Sequence, residues 1–219
     1  MTKYFRFLLY LVLALRVSVS WAGSYDDFFR AIVEDQPRAI RSLLERGFDP
    51  NALDPSGRPG LFIALQRGSL KAAEVLADWP KTNIEWRSPK DESALMIAAL
   101  KGDTELARKL IARGADVNKT GWAPLHYAAT GGHVDIIQML LDESAYIDAE
   151  SPNKTTPLMM AAYYGTPQAV KLLLDSGADA TLRNQQGLSA FDFAERGNRK
   201  EAAELISAAI RSKEPKGKW

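Results

Sequence analysis

The only two histidines are His126 and His133, and an imidazole nitrogen can ligate zinc or move a proton near neutral pH. They stand seven residues apart, with no i, i+4 partner and no cysteine anywhere in the chain. A zinc site needs three or four convergent ligands, so both read as structural, with no metal and no cofactor expected. Asp26-Asp27 and Asp91-Glu92 are adjacent carboxylate pairs. Sequence neighbours usually point apart, and helix N-termini attract acids, so these read as cap and turn residues. No G-x-S-x-G, H-E-x-x-H or Walker-type loop occurs. The residues name no reaction, and the expectation is a protein that is not an enzyme.

The positioning elements follow from a repeat. Leu125, in APLHYAATGGHVDIIQMLL, has equivalents at Phe28, Leu61, Leu95, Leu158 and Phe191, at intervals of 33, 34, 30, 33 and 33 residues. Three residues after each anchor stands an alanine: 31, 64, 98, 128, 161 and 194. Alanine lets short helices approach closely at the best helix propensity. Seven after each come Asp35, Gly68, Gly102, Gly132, Gly165 and Asn198, types that enter the left-handed region at least cost. Fifteen after each come Leu43, Leu76, Leu110, Leu140, Leu173 and Ile206, the apolar face of a second helix. Each unit therefore reads as a helix, a tight turn, a longer helix and a Gly-containing connection.

These residues resemble the ankyrin repeat. Ala123-Pro124-Leu125-His126, Gly132-His133 and Gly114-Ala115-Asp116-Val117-Asn118 match its hallmark stretches, as do Thr156-Pro157-Leu158 and Gly177-Ala178-Asp179 one unit later. A match recurring at one period is specific. The resemblance implies an all-α repeat solenoid of stacked helix-turn-helix units with short β-hairpin loops, about six units over residues 24–210 including atypical end caps. His126 is then expected to brace turns by hydrogen bonding. The 30-residue interval arises at Asn118-Lys119-Thr120-Gly121, so one finger in the row should be truncated. An extra residue near Trp79-Pro80-Lys81-Thr82 gives the 34-residue interval.

The resemblance also implies a protein partner, held on the concave side by the fingers and inner helices. The family's variable positions fall on Gln66, Arg67, Leu100, Lys101, Thr130, Gly131, Tyr163 and Tyr164, with Arg58, Trp86, Lys90, Glu92, Trp122, Thr155 and Leu188 on the fingers. The partner-binding candidates are Arg58, Arg67, Trp86, Lys101, Trp122, Tyr163 and Tyr164, because Trp, Tyr and Arg dominate interface energetics. Local packing of the same aromatics is the competing reading. A partner so bound could be inhibited, as by an immunity-type factor, or merely held.

Composition and address complete the reading. Lys3 and Arg6 precede the apolar run Phe7 to Leu15, and Ser20-Trp21-Ala22 supplies small residues at a cleavage site, so residues 1–22 read as a signal peptide. Nine apolar residues ended by Arg16 fall short of the roughly 20 that a bilayer span needs. An exported, periplasmic or secreted protein with no stable membrane insertion after cleavage is expected. Removing three of the 28 basic residues with that segment leaves 25 against 27 acidic ones, which offers nucleic acid no clustered positive charge. Residues 211–219, with Pro215 and Gly217 and no apolar periodicity, read as a disordered basic tail.

Overall fold

The computed structural model describes residues 23–213. The expected signal peptide, 1–22, lies outside the described residues. Twelve helices are described: α1 (23–33), α2 (Pro37–Glu45), α3 (Gly60–Arg67), α4 (Leu70–Asp78), α5 (Ala94–Lys101), α6 (Thr104–Ala112), α7 (Pro124–Gly131), α8 (Val134–Asp142), α9 (Pro157–Tyr164), α10 (Pro167–Asp175), α11 (Ala190–Arg196) and α12 (Lys200–Lys213). Helix α12 continues through residues 211–213, which the sequence reading had assigned to the tail. Its Glu201, Glu204 and Arg211 are exposed, as an end cap requires.

The chain divides into two compact units, one ending at Asn83 and one beginning at Ile84. Within the first, α4 packs on α2 and α3. Within the second, α5, α7, α9 and α11 form one row of neighbours, and α6, α8, α10 and α12 a second row behind it. The repeated alanines make this spacing possible. Ala64, Ala98, Ala128 and Ala194 have no exposed surface, and Ala31 and Ala161 almost none. Leu76, Leu110, Leu140, Leu173 and Ile206 are likewise fully buried on the second helices. The apolar period read from the sequence is thus the core.

The first helices begin with a recurring exchange of hydrogen bonds. Ser93, Thr156 and Ser189 accept from the backbone N–H three residues on. In return Met96 Sδ, Met159 Sδ and an Asp192 carboxylate oxygen accept from the N-cap N–H. These reciprocal pairs satisfy two of the orphan donors at a helix start. The hydrogen bonds of Ser189 hold the Asp192 carboxyl below the usual carboxylate range.

The turns between paired helices follow the sequence with one exception. Asp35, Gly68, Gly102, Gly132 and Asn198 have φ between 51° and 78°, as their residue types predict. Gly165 instead has φ −77° and ψ −152°. Thr166, before Pro167, is extended at φ −114° and ψ 154°, whereas Gln36 before the equivalent Pro37 has ψ 81° and leaves Asp35 left-handed. Gly165 is still required there, because an added Cβ would come 2.4 Å from the Ala129 carbonyl oxygen.

The fingers are tight turns, and no strand longer than a single bridge forms among the described residues. Bridges join Leu53 to Pro59 and Arg183 to Ser189. Four turns share one device, a side-chain oxygen that accepts from the N–H four residues on: Asp54 from Arg58, Ser88 from Glu92, Ser151 from Thr155 and Asn184 from Leu188. In the fourth repeat the shortened finger makes no such bond, and Asn118 is the counterpart of Asn51 and Asp148. Its side chain instead spans to the next repeat, accepting from the Tyr146 N–H and donating to the Ser144 carbonyl. The deletion therefore removes the turn and keeps the inter-repeat bond.

Most second helices end through a left-handed glycine, but Ser144 occupies that position at φ 63°, exposed. A Ser144→Gly variant relieves the backbone cost and should gain about 1 kcal/mol, read as a rise of about 2–4 °C in Tm. Gly165→Ala should lose about 2 kcal/mol by crowding the Ala129 carbonyl, read by the same thermal melt.

Candidate partner-binding face

The partner-binding candidates fall in both units. Arg58 and Arg67 belong to the first. Arg67 is exposed at the end of α3. Arg58 is held locally: Nε and Nη2 donate to Asp54 Oδ2 at 3.0 and 2.6 Å, and Nη1 donates to Gln66. Burial raises the Asp54 carboxyl, but the hydrogen bonds and charge of Arg58 outweigh it and hold the group below its ordinary value. This guanidinium braces the finger, and docking through it would require breaking that pair.

The remaining candidates lie in the second unit. Trp86 is half-buried and Lys101 exposed at the end of α5. Trp122 is half-buried, its ring edge-on to His126 with centroids 5.2 Å apart. Tyr163 and Tyr164 lie with ring centroids 4.4 Å apart. Tyr163 also meets Phe193 of α11 edge to face at 6.2 Å, so local packing accounts for part of its surface. Tyr164 remains 55% exposed. Thr155, a variable finger position in the sequence reading, is 2% exposed and offers no docking surface.

Three aromatic or apolar residues were missed. Tyr127, Met160 and Phe193 are half-buried two residues after their anchors, three positions before Thr130, Tyr163 and Arg196. Residues three apart share a helix face, so these side chains extend the surface on α7, α9 and α11. The signal was present, since the same column reads Ile63, Ile97, Tyr127, Met160, Phe193. Burial of the phenol, with the nearby charges of Glu92 and Asp91, pushes the Tyr127 hydroxyl above its ordinary value.

His126 and His133 both serve the scaffold. His126 is fully buried; Nδ1 accepts from the Ala123 N–H at 3.1 Å, so Nε2 carries the hydrogen and donates to the Thr155 carbonyl at 2.9 Å. It thus takes the place of Met96, Met159 and Asp192 at a helix start and also ties α7 to the next finger. His133 Nε2 reaches the Leu100 carbonyl at 3.0 Å. Thr166 does the same for the Gly132 carbonyl, and Arg199 donates to the carbonyls of Tyr163, Tyr164 and Gly165. Among the described residues no group of three or more His, Asp or Glu is placed to hold a metal ion.

Paired helices at a fixed period, cross-tied by short polar side chains, define a helical-repeat binding scaffold. Models of ankyrin repeats match residues 28–119 and 61–151 in a three-copy form and 145–194 in a many-copy form. The chain belongs to the ankyrin-repeat family. Mouse B-cell lymphoma 3 protein homolog is 29% identical over 161 residues, covering 70% of this chain and 36% of that protein. Mouse ankyrin repeat and SAM domain-containing protein 6 is 34% identical over 140 residues, 60% of this chain and 15% of that protein. The chain spans about a third or less of the length of these curated relatives. Among solved structures, an ankyrin repeat domain from Acinetobacter baumannii superposes with a TM-score of 0.72 at 24% identity, covering 84% of this chain and 97% of that one. A chain from the complex of a predatory endopeptidase with an immunity protein, from Bdellovibrio bacteriovorus, gives a TM-score of 0.71 at 26% identity over 83% and 97%.

Burial holds the His126 imidazole below its ordinary value of 6.5, against the opposing pull of its hydrogen bonds. The unfolded chain therefore binds this proton more readily than the folded one, so stability is full above pH 6.5 and falls as the pH drops below it. Thermal unfolding between pH 8 and pH 5 should show Tm declining below about 6.5, with part of that slope lost in His126→Gln. His126→Ala strands the Ala123 N–H and the Thr155 carbonyl and should cost about 2–4 kcal/mol at pH 8, measured by denaturant unfolding.

Proposed function

We propose that this protein is a non-catalytic protein-binding module that acts outside the cytoplasm, and that its partner docks on the inner-helix surface of the 84–213 unit. The observation that carries the reading is a set of aromatics, Trp122 in the loop before α7, Tyr127 on α7, Tyr163 and Tyr164 on α9 and Phe193 on α11, all half-buried except the exposed Tyr164. The framework does not use Tyr164 for burial, and a large exposed aromatic beside others is the composition of an interface centre. Such a face on rigid paired helices meets a partner with little ordering cost. Lys101 and Trp86 lie in the same unit and flank the reading; Arg58 and Arg67 belong to the other unit.

A more specific reading is that binding occludes a partner enzyme, in the manner of an inhibitor or immunity-type factor. It is favoured by the likeness, over nearly the whole of the matched chain, to a component of an endopeptidase–immunity protein complex. The action outside the cytoplasm rests on residues 1–22, with Lys3 and Arg6 before the Phe7–Leu15 run and a small-residue site ending at Ala22.

Two measurements test this. Affinity capture from extracytoplasmic extract should retrieve a protein with the wild-type chain, and Trp122→Ala/Tyr163→Ala/Tyr164→Ala should reduce retention at least tenfold, since truncated hot spots cost about 2 kcal/mol or more each. Undiminished capture by the triple variant removes this face from the interface. N-terminal sequencing of the mature product should begin at Gly23, and a start at Met1 sinks the export reading.

A further inference from the structure

The tie between the fifth and sixth repeats uses more side chain than its bond requires. His133 and Thr166 each reach one carbonyl of the preceding repeat with a single atom, at 3.0 and 3.3 Å. At the equivalent position Arg199 employs two nitrogens: Nε donates to the Tyr163 carbonyl at 3.2 Å, and Nη2 to those of Tyr164 and Gly165 at 2.8 Å each. These bonds hold the guanidinium in one orientation and neutralise none of its charge, since every acceptor is a carbonyl. The third nitrogen, Nη1, donates to nothing among the described residues, and no carboxylate of those residues pairs with the exposed Arg199. The same residue lines a cavity of about 220 Å³ beside α9 and the start of α12, together with Ala161, Gly165, Asn198, Lys200 and Glu201. The exposed Asn198 holds the left-handed turn at φ 55°, and its side-chain amide has no partner among the described residues. Lys200 and Glu201 carry opposite charges, so the net charge of the wall is that of Arg199.

We propose that this cavity receives an aspartate or glutamate side chain of the docked protein partner, held by Arg199 Nη1 and the Asn198 amide; the inference rests on the protein-binding reading and adds the chemistry at one point of it. The cavity adjoins the aromatic set, because Arg199 is bonded to the backbone of Tyr163 and of Tyr164, the most exposed member of that set. The guanidinium is already ordered by its carbonyl bonds, so a partner meets little further ordering cost there. A carboxylate offers two oxygens, one for each donor, and the bond to a guanidinium is charge-assisted on both sides. An apolar side chain would cover Nη1 without supplying an acceptor. A basic one would meet the unbalanced charge of Arg199.

The test titrates the 15N-labelled protein with three matched peptides, acetyl-Ala-Leu-Glu-Leu-Ala-amide and its Gln and Lys counterparts, following the backbone amides and the Arg199 Nε–H signal. The Glu peptide should give saturable shifts at Asn198, Arg199 and Lys200 and bind at least about threefold tighter than the Gln peptide, while the Lys peptide leaves these signals unmoved. Asn198→Gly keeps the left-handed turn, removes the amide donor and should weaken the Glu peptide about threefold with no loss of Tm. Arg199→Thr copies the tie that Thr166 makes, removes the guanidinium and should erase the preference for Glu over Gln. Equal binding of the Glu and Gln peptides, or a Glu preference that survives Arg199→Thr, overturns the carboxylate site while leaving aromatic docking intact. Should Arg199→Thr fail to fold, Asn198→Gly decides, and undiminished Glu binding by that variant overturns the site. Silence toward all three peptides overturns it as well, and the triple-alanine capture then decides the docking reading separately.

Discussion

Helices of eight or nine residues leave four backbone N–H groups and four carbonyls unpaired at their ends, nearly as many as they satisfy internally. Such helices packed closely within each unit would bury an intolerable number of unsatisfied polar groups unless their ends found partners. Here the partner is supplied sideways. Asn51 bonds the backbone at Lys81 and Asn83, Glu85 accepts from Asp116, Asn118 bridges to Ser144 and Tyr146, and Asp148 accepts from Asp179. On the turns between helices, His133, Thr166 and Arg199 reach back to carbonyls one repeat earlier. Within each unit, neighbouring repeats thus complete one another's backbone.

This dependence separates scaffold from surface. The residues that tie repeats together are polar side chains such as Asn118 and Thr166, the buried His126 and the exposed Arg199, and their hydrogen bonds are directed at backbone. The side chains left over are those on the inner face: Tyr164 and the outward parts of Trp122, Tyr127 and Tyr163. Arg58 shows that position alone does not assign a role. It stands at a variable finger position, yet its guanidinium closes the Asp54 turn. A binding surface in this architecture is what remains after the backbone has been satisfied.

The truncated finger illustrates the same economy. Its three-residue deletion sacrifices the turn that Asp54, Ser88, Ser151 and Asn184 each close elsewhere, but Asn118 keeps its bridge to the next repeat. Loop length is cheap to alter, whereas an orphaned inter-repeat acceptor is not. The edit consequently falls where it changes surface relief and spares the stack. The exposed consequence is local: Lys119 becomes a nearly buried partner of Asp91, and Trp122 follows directly on the shortened loop.

The repeat, the buried alanines and leucines, the bracing role of His126 and the short finger were all legible in the sequence. Periodicity encodes them directly, because residues one period apart occupy the same environment. Other features depended on contacts that no period records. Gly165 resembles Gly132 in sequence, yet its backbone is extended rather than left-handed, and its missing side chain admits the Ala129 carbonyl. Methionine sulfurs as helix-start acceptors are invisible to a reading by residue type, since Met96 and Met159 look like core. The helical continuation through residues 211–213 was masked by a charged composition. At the face, the sequence marked Trp122, Tyr163 and Tyr164 but could not tell exposed ring from packed ring. Only the tertiary structure set Tyr163 against Phe193 and buried Thr155, because exposure is decided by which neighbours a side chain meets across repeats.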